Sequence, residues 1–296
     1  MNRTILKPGC TLTFIFFLFS TSILAQDPFV LDTALSNVLP QSMANSIQIA
    51  EVNNDGTNDI IISGYDETRN GVFFDVINVQ TDGSLLVGSQ NSFITYSDTI
   101  AGIEPGVPVG GIGGVDLIDY NRDGWVDAFL QGSALKGTLI NSNGTFNTSG
   151  IETFSLTYSD AKWGDVNNDG APDLFVMGVD ESQDIILNDL YINNGTSLTK
   201  DQTTIFPDLF NGSSSWGDYD NDGDLDLVIC GQTADKTATV SRFYKNEPTG
   251  RLTELTTAED VGGLKAGAFR FTDLDSDGDL DMIMSGWNKI QRKLVT

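Results

Sequence analysis

Short apolar runs alternate with polar turns along most of this chain, and the alternation repeats. A run such as Leu227, Val228 and Ile229, bounded by turn residues, predicts a buried strand. Such a run follows each of five acidic turns, which begin at Glu51, Asp119, Asp165, Asp218 and Asp273, at intervals of 68, 46, 53 and 55 residues. In each turn a Gly comes five residues after the ninth position: Gly64, Gly132, Gly178, Gly231 and Gly286. After the first four strands come polar turns flanked by further strand-like runs, around Asp82 and Gly83, Asn143 and Gly144, Asn194 and Gly195, and Gly250. Asn-Gly and Asp-Gly are strong hairpin signals. Each repeat therefore predicts an inner strand, an acidic loop, a second strand, a hairpin and an outer strand, an all-β repeat architecture. Longer connections, residues 97–114 and 259–267, interrupt the pattern and are expected at a rim, where binding specificity concentrates.

The acidic turns share one register. In the fourth, Asp218, Asp220, Asp222 and Asp226 hold positions 1, 3, 5 and 9, with Gly223 at position 6. The same positions are Glu51, Asn53, Asp55 and Asp59 in the first loop, and Asp119, Asn121, Asp123 and Asp127 in the second. They are Asp165, Asn167, Asp169 and Asp173 in the third, and Asp273, Asp275, Asp277 and Asp281 in the fifth. Oxygen atoms at alternate positions of a tight turn suit a hard cation such as Ca²⁺, which takes six to eight oxygen ligands. Position 7 holds Thr57, Trp125, Ala171, Asp224 and Asp279, a set without shared side-chain chemistry, so its backbone carbonyl is the expected ligand. Gly at position 6 permits a turn with positive φ.

An EF-hand opens with the same carboxylate spacing but requires a bidentate Glu at position 12 and flanking helices. Here position 12 is Ile62, Leu130, Val176, Ile229 and Met284, always apolar, so each loop joins two strands. These residues, above all Trp163, Gly164, Asp165 and Trp216, Gly217, Asp218, resemble the FG-GAP or VCBS repeat of integrin α-subunits and many secreted bacterial proteins. The resemblance implies a β-propeller blade for each repeat, with Ca²⁺ held between its first two strands, over residues 26–296. Five recognisable repeats imply up to five Ca²⁺ ions, in loops 51–59, 119–127, 165–173, 218–226 and 273–281. The chain reaches only ten residues past Gly286, which makes the last blade incomplete. Residues 29–38 would pair with it to close a ring, or its unpaired edge would invite association.

Composition sharpens this picture. Arg3 and Lys7, an apolar stretch from Leu12 to Leu24 and the small residue Ala25 read as a secretory signal peptide over residues 1–25, too short to span a membrane. The remaining chain carries 14 basic against 41 acidic residues, a net charge of −27 that disfavours nucleic acid and anionic membranes. The five loops contribute 17 of those 41 carboxylates at positions 1, 3, 5 and 9, so much of the acidity belongs to metal-site chemistry. A hydrophobic fraction of 40% argues against a disordered acidic chain. Cys230, alone after cleavage, has no internal disulfide partner and reads as a small buried residue.

Histidine is absent, which excludes His-dependent triads, His general bases and His-ligated zinc. The expected function is a secreted calcium-binding module for adhesion or for an extracellular protein or glycan ligand, without a catalytic group. Trp125 and Tyr219, inside the loops, are candidate exposed contact residues, with core or rim packing as the other reading. The alternative is a carbohydrate-active enzyme, a polysaccharide lyase or hydrolase, working through paired carboxylates. The acidic pairs that stand out are nevertheless all taken by the proposed metal loops.

Overall fold

A computed structural model describes residues 43–66, 71–87, 114–131, 137–148, 156–180, 183–248, 250–255 and 263–287. The expected signal peptide, the closing segment 29–38, residues 97–113 and 259–262 of the longer connections, and Gly132 lie outside the described residues. The chain divides into two compact units, residues 1–107 with 143–145, and 108–142 with 146–296.

Every regular element among the described residues is a strand. In the first unit β1 (Met43–Ala50), β2 (Asp59–Asp66), β3 (Gly71–Val79) and β4 (Leu85–Val87) form one antiparallel sheet in chain order. In the second unit β5 (Val115–Ile118), β6 (Asp127–Leu130), β7 (Gly137–Ser142) and β8 (Thr145–Thr148) make another. β9 (Leu156–Gly164), β10 (Asp173–Asp180), β11 (Ile185–Asn193) and β12 (Leu198–Lys200) make a third sheet. β13 (Leu209–Gly217), β14 (Asp226–Thr233), β15 (Thr239–Glu247) and β16 (Arg251–Glu254) make a fourth, and β17 (Lys265–Thr272) pairs with β18 (Asp281–Trp287). The predicted hairpins occupy the third-to-fourth strand turns. At Asn143 and Gly144 both central residues have positive φ, 56° and 78°, the geometry that suits the twist of a two-residue hairpin.

Register is the same in all five sheets. The ninth loop residue pairs with the residue just before the loop: Asp59 with Ala50, Asp127 with Ile118, Asp173 with Gly164, Asp226 with Gly217 and Asp281 with Thr272. Four second strands, β2, β6, β10 and β14, read as unbroken apolar runs because both their faces are buried, whereas β18 leaves Ile283 exposed. On β10, Leu174 and Val176 pack with Phe129 and Leu156 on one side, while Phe175 and Met177 meet Leu227, Ile229 and Tyr244 on the other. On β14, Val228 and Cys230 turn instead to Phe269 and Met284. Burial pushes the Cys230 thiol up to about 12, which makes it an inert core residue.

The recurrent glycines have steric causes. The inner strands β9 and β13 bulge, with register shifts opposite Gly178 and Gly231. A Cβ on Gly178 would lie 2.9 Å from that of Ser159, and one on Gly231 would lie 3.0 Å from Leu209 Cβ. The Gly before the loop serves sheet-to-sheet packing. Trp216 lies over Gly164, where an added Cβ would come within 2.9 Å of the indole, and Phe271 lies over Gly217 at 2.6 Å. The Gly before the third and fourth loops is thus a packing position: Trp216 and Phe271 each fill the space that the preceding sheet leaves there by having no side chain.

Candidate functional site

Each acidic loop links the inner strand of a sheet to its second strand, and the same hydrogen bonds shape all five. The position 1 carboxylate accepts the backbone N–H groups of positions 5 and 6. In the third loop these are Asp169 N to Asp165 Oδ1 at 3.0 Å and Gly170 N to Asp165 Oδ2 at 2.8 Å. Glu51, Asp119, Asp218 and Asp273 do the same in their loops. At position 3, Asn53, Asn121 and Asn167 accept the position 5 N–H, at 2.9, 3.0 and 2.9 Å. At position 5, Asp55, Asp123, Asp169, Asp222 and Asp277 accept the N–H of position 7, from Thr57, Trp125, Ala171, Asp224 and Asp279. The Thr57 hydroxyl also donates to Asp55, and with the backbone bond it holds that carboxyl below its usual range.

Position 9 anchors each loop to its sheet. Asp59, Asp127, Asp173 and Asp226 are fully buried. Each accepts the position 2 N–H and the N–H of a third-strand residue: Val79 at 2.9 Å, Asn141 at 2.7 Å, and Asn193 and Asn246 at 2.8 Å. Asp281 accepts the Leu274 N–H at 3.0 Å. Burial outweighs these bonds and pushes the Asp127, Asp173 and Asp226 carboxyls up to about 6. Asp59 is raised for the same reason.

The outer parts of the loops are exposed, and there the carboxylates crowd. Oxygen atoms of Asp218, Asp220 and Asp222 lie within 4.8 Å of one another, as do those of Asp273, Asp275 and Asp281. Two like charges at that distance repel by about 1 kcal/mol in bulk water and about 3.5 kcal/mol at an effective dielectric near 20. An all-oxygen donor set under this repulsion fits a hard divalent cation. The two clusters differ in membership, positions 1, 3 and 5 against 1, 3 and 9, and in their basic partner. Lys245, on β15, donates to Asp220 and, at 2.9 Å, to Asp222, which lowers the Asp222 carboxyl. Among the described residues no lysine or arginine pairs with the fifth loop. Trp125 and Tyr219 are both half-buried rather than exposed.

Three features escaped the sequence pattern. Position 4 lies in the left-handed region in every loop, at Asn54, Arg122, Asn168, Asn221 and Ser276, with φ of 57°, 59°, 56°, 58° and 64°. Gly at position 6, with φ from 85° to 98°, supplies the second such residue. Asparagines on the third strands join neighbouring sheets: Asn193 Nδ2 donates to Tyr120 O at 2.9 Å and Asn246 Nδ2 to Val166 O at 2.7 Å. An ionic group on the inner strands does likewise. There Asp160 pairs with Lys162 at 2.8 Å and accepts the Ser214 N–H and hydroxyl, while Asp116 accepts Gln131 Nε2 at 2.7 Å.

No curated protein matches the chain. A family model for the FG-GAP-like repeat matches residues 119–176, 165–229 and 218–284. Each match opens at position 1 of one loop and ends at position 12 of the next, so the unit it describes is the loop and strand arrangement seen in the second unit. Together the matches cover residues 119 to 284, more than half of the 296. The chain belongs to the FG-GAP-like repeat family.

Proposed function

We propose that this protein is a secreted, calcium-dependent binding module, a β-propeller of five FG-GAP-like blades that presents its rim to an extracellular protein or glycan. The carrying observation is the repeated loop. Five times, backbone bonds hold an oxygen-only donor set on one turn, and twice three carboxylates crowd within 4.8 Å. Calcium would be held by positions 1, 3, 5 and 9 and by the position 7 carbonyl. Its role would be structural, stiffening the loops for ligand contact. Export rests on residues 1–25. A binding role, not a catalytic one, accords with the lack of histidine and with the use of the prominent carboxylates in the loops.

Purified protein should take up calcium in isothermal calorimetry, and it should bind selected ligands on glycan and extracellular-protein arrays in millimolar Ca²⁺ but not in EGTA. Calcium-dependent cleavage of a glycan, lost on replacing a carboxylate outside the loops, would overturn the binding-module reading in favour of an enzyme.

A further inference from the structure

The loops of the second unit are joined in one direction by their position 4 side chains. Arg122 Nη1 of the second loop donates to the Asp169 carbonyl of the third at 3.0 Å. Asn168 Nδ2 of the third donates to Asp224 Oδ1 of the fourth at 2.6 Å. Asn221 Nδ2 of the fourth donates to Asp279 Oδ1 of the fifth at 2.7 Å, with the Gly278 carbonyl at 3.5 Å. The left-handed backbone turns each side chain out of its own loop and toward the next. The acceptors are not arbitrary. Asp224 and Asp279 stand at position 7, whose backbone carbonyl is the assigned ligand, and Asp169 stands at position 5.

Resting on the calcium reading above, we propose that these bonds couple neighbouring metal sites, so that an ion in one loop raises the affinity of the next. Asn168 lies between Asn167 and Asp169, positions 3 and 5 of its loop. An ion that orders those two residues also fixes the carboxamide, and the fixed carboxamide holds Asp224 in place before the fourth loop is filled. The second ion then orders fewer groups on binding, which is positive cooperativity by shared ordering. Repulsion between ions acts in the opposite sense, but salt weakens it beyond a Debye length of about 8 Å at physiological ionic strength.

The test is a double-mutant cycle, read by calcium calorimetry on the full chain at 0.15 M salt. Asp165→Asn disables the third loop, and Asn168→Gly removes the carboxamide while keeping a residue that tolerates positive φ. In the wild-type background Asp165→Asn should remove one site and weaken its two neighbours, the second and the fourth, by roughly five-fold each, the lower end of typical coupling. In the Asn168→Gly background it should remove its own site and weaken only the second, still joined to it through Arg122, and leave the fourth unchanged. Ser276→Gly is the control for added loop freedom, because among the described residues the Ser276 side chain bonds to no other loop. Asn168→Asp, which cannot donate to Asp224, should behave as Asn168→Gly does. The coupling is refuted if the effects of Asp165→Asn and Asn168→Gly are additive, or if Ser276→Gly lowers calcium affinity as much as Asn168→Gly. A wild-type protein that takes up no calcium overturns the metal reading itself, a result distinct from additive binding.

Discussion

Replacing Asn193 by Val isolates what a buried carboxamide contributes between two sheets. Val79 holds the corresponding third-strand place in the first sheet and makes the same backbone bond, to Asp59 Oδ1 at 2.9 Å, so Val fits this backbone. The Asn193 carboxamide makes three bonds: to Tyr120 O and Pro172 O, both at 2.9 Å, and from Gly195 N at 2.8 Å. Tyr120 is buried, so its carbonyl loses its donor without water to replace it, at about 1–3 kcal/mol. Pro172 and Gly195 are partly exposed, so water compensates in part, and roughly 0.5 kcal/mol each is a fair charge. The total is about 2–4 kcal/mol, a large share of the roughly 5–15 kcal/mol that holds a typical domain. Asn246 supplies the internal comparison. Its carboxamide makes one such bond, to Val166 O, and its Oδ1 is buried without a partner, a cost that Val would remove. Asn246→Val should therefore cost under about 1.5 kcal/mol. Urea unfolding in EGTA, followed by tryptophan fluorescence, measures both. The reasoning is wrong if Asn246→Val costs as much as Asn193→Val, or if Asn193→Val stays within about 0.5 kcal/mol of wild type, where substitutions away from buried partners usually fall.

Four further outcomes are expected. Millimolar Ca²⁺ should raise the melting temperature over EGTA, because sites with dissociation constants of 10⁻⁴ to 10⁻³ M each add about 0.4–1.4 kcal/mol; equal melts would refute calcium stabilisation. Lys245→Gln should strengthen calcium binding at the fourth loop, since it removes a cation that sits on Asp220 and Asp222, and calorimetry showing unchanged or weaker binding would count against this. The metal-free protein should lose stability as pH rises from about 4 through about 6. The Asp127, Asp173 and Asp226 carboxyls, raised to about 6 mainly by burial, hold a proton more readily folded than unfolded, so their contribution is full below their unfolded value of 3.8 and gone above 6. Asp222, lowered by Lys245, works in the opposite sense; melts in EGTA that instead rise steadily over that window would show that such groups prevail. Gly212→Ala should prevent folding, because its Cβ would lie 1.7 Å from the Cys230 carbonyl oxygen, whereas Gly223→Ala, with nothing within 4 Å, meets only the strain of φ +95° and should give soluble folded protein by circular dichroism.

What the sequence made legible, and what it hid, follows from the range of each interaction. The second strands, the loops and the four hairpins all stood out because their signals are local: unbroken apolar runs, carboxylates at alternate positions, Asn-Gly and Asp-Gly turns. Position 4 is just as local, yet it was hidden. Asn54, Asn168 and Asn221 tolerate the left-handed backbone well, but Arg122 and Ser276 occupy it too and broke the pattern. The third-strand asparagines lie about 20 residues beyond the carboxylates they serve, and their partners in the neighbouring sheet lie 73 and 80 residues away, so nothing nearby in the chain marks them.

Lys245 shows most plainly why loops of equal sequence need not be equal sites. Counted along the chain, the fourth and fifth loops match: each carries four carboxylates at positions 1, 3, 5 and 9 and a further Asp at position 7. Counted in space they part, since a strand residue 25 positions after Asp220 places an ammonium on two of the fourth loop's carboxylates. At the corresponding third-strand place the second and third sheets have Ile140 and Ile192, so among these three sheets the feature belongs to the fourth. An arriving divalent ion must displace that ammonium from the fourth loop, while in the fifth it meets carboxylates with no basic partner among the described residues. The fifth loop should therefore fill first, and the fourth, tied to it through Asn221, next.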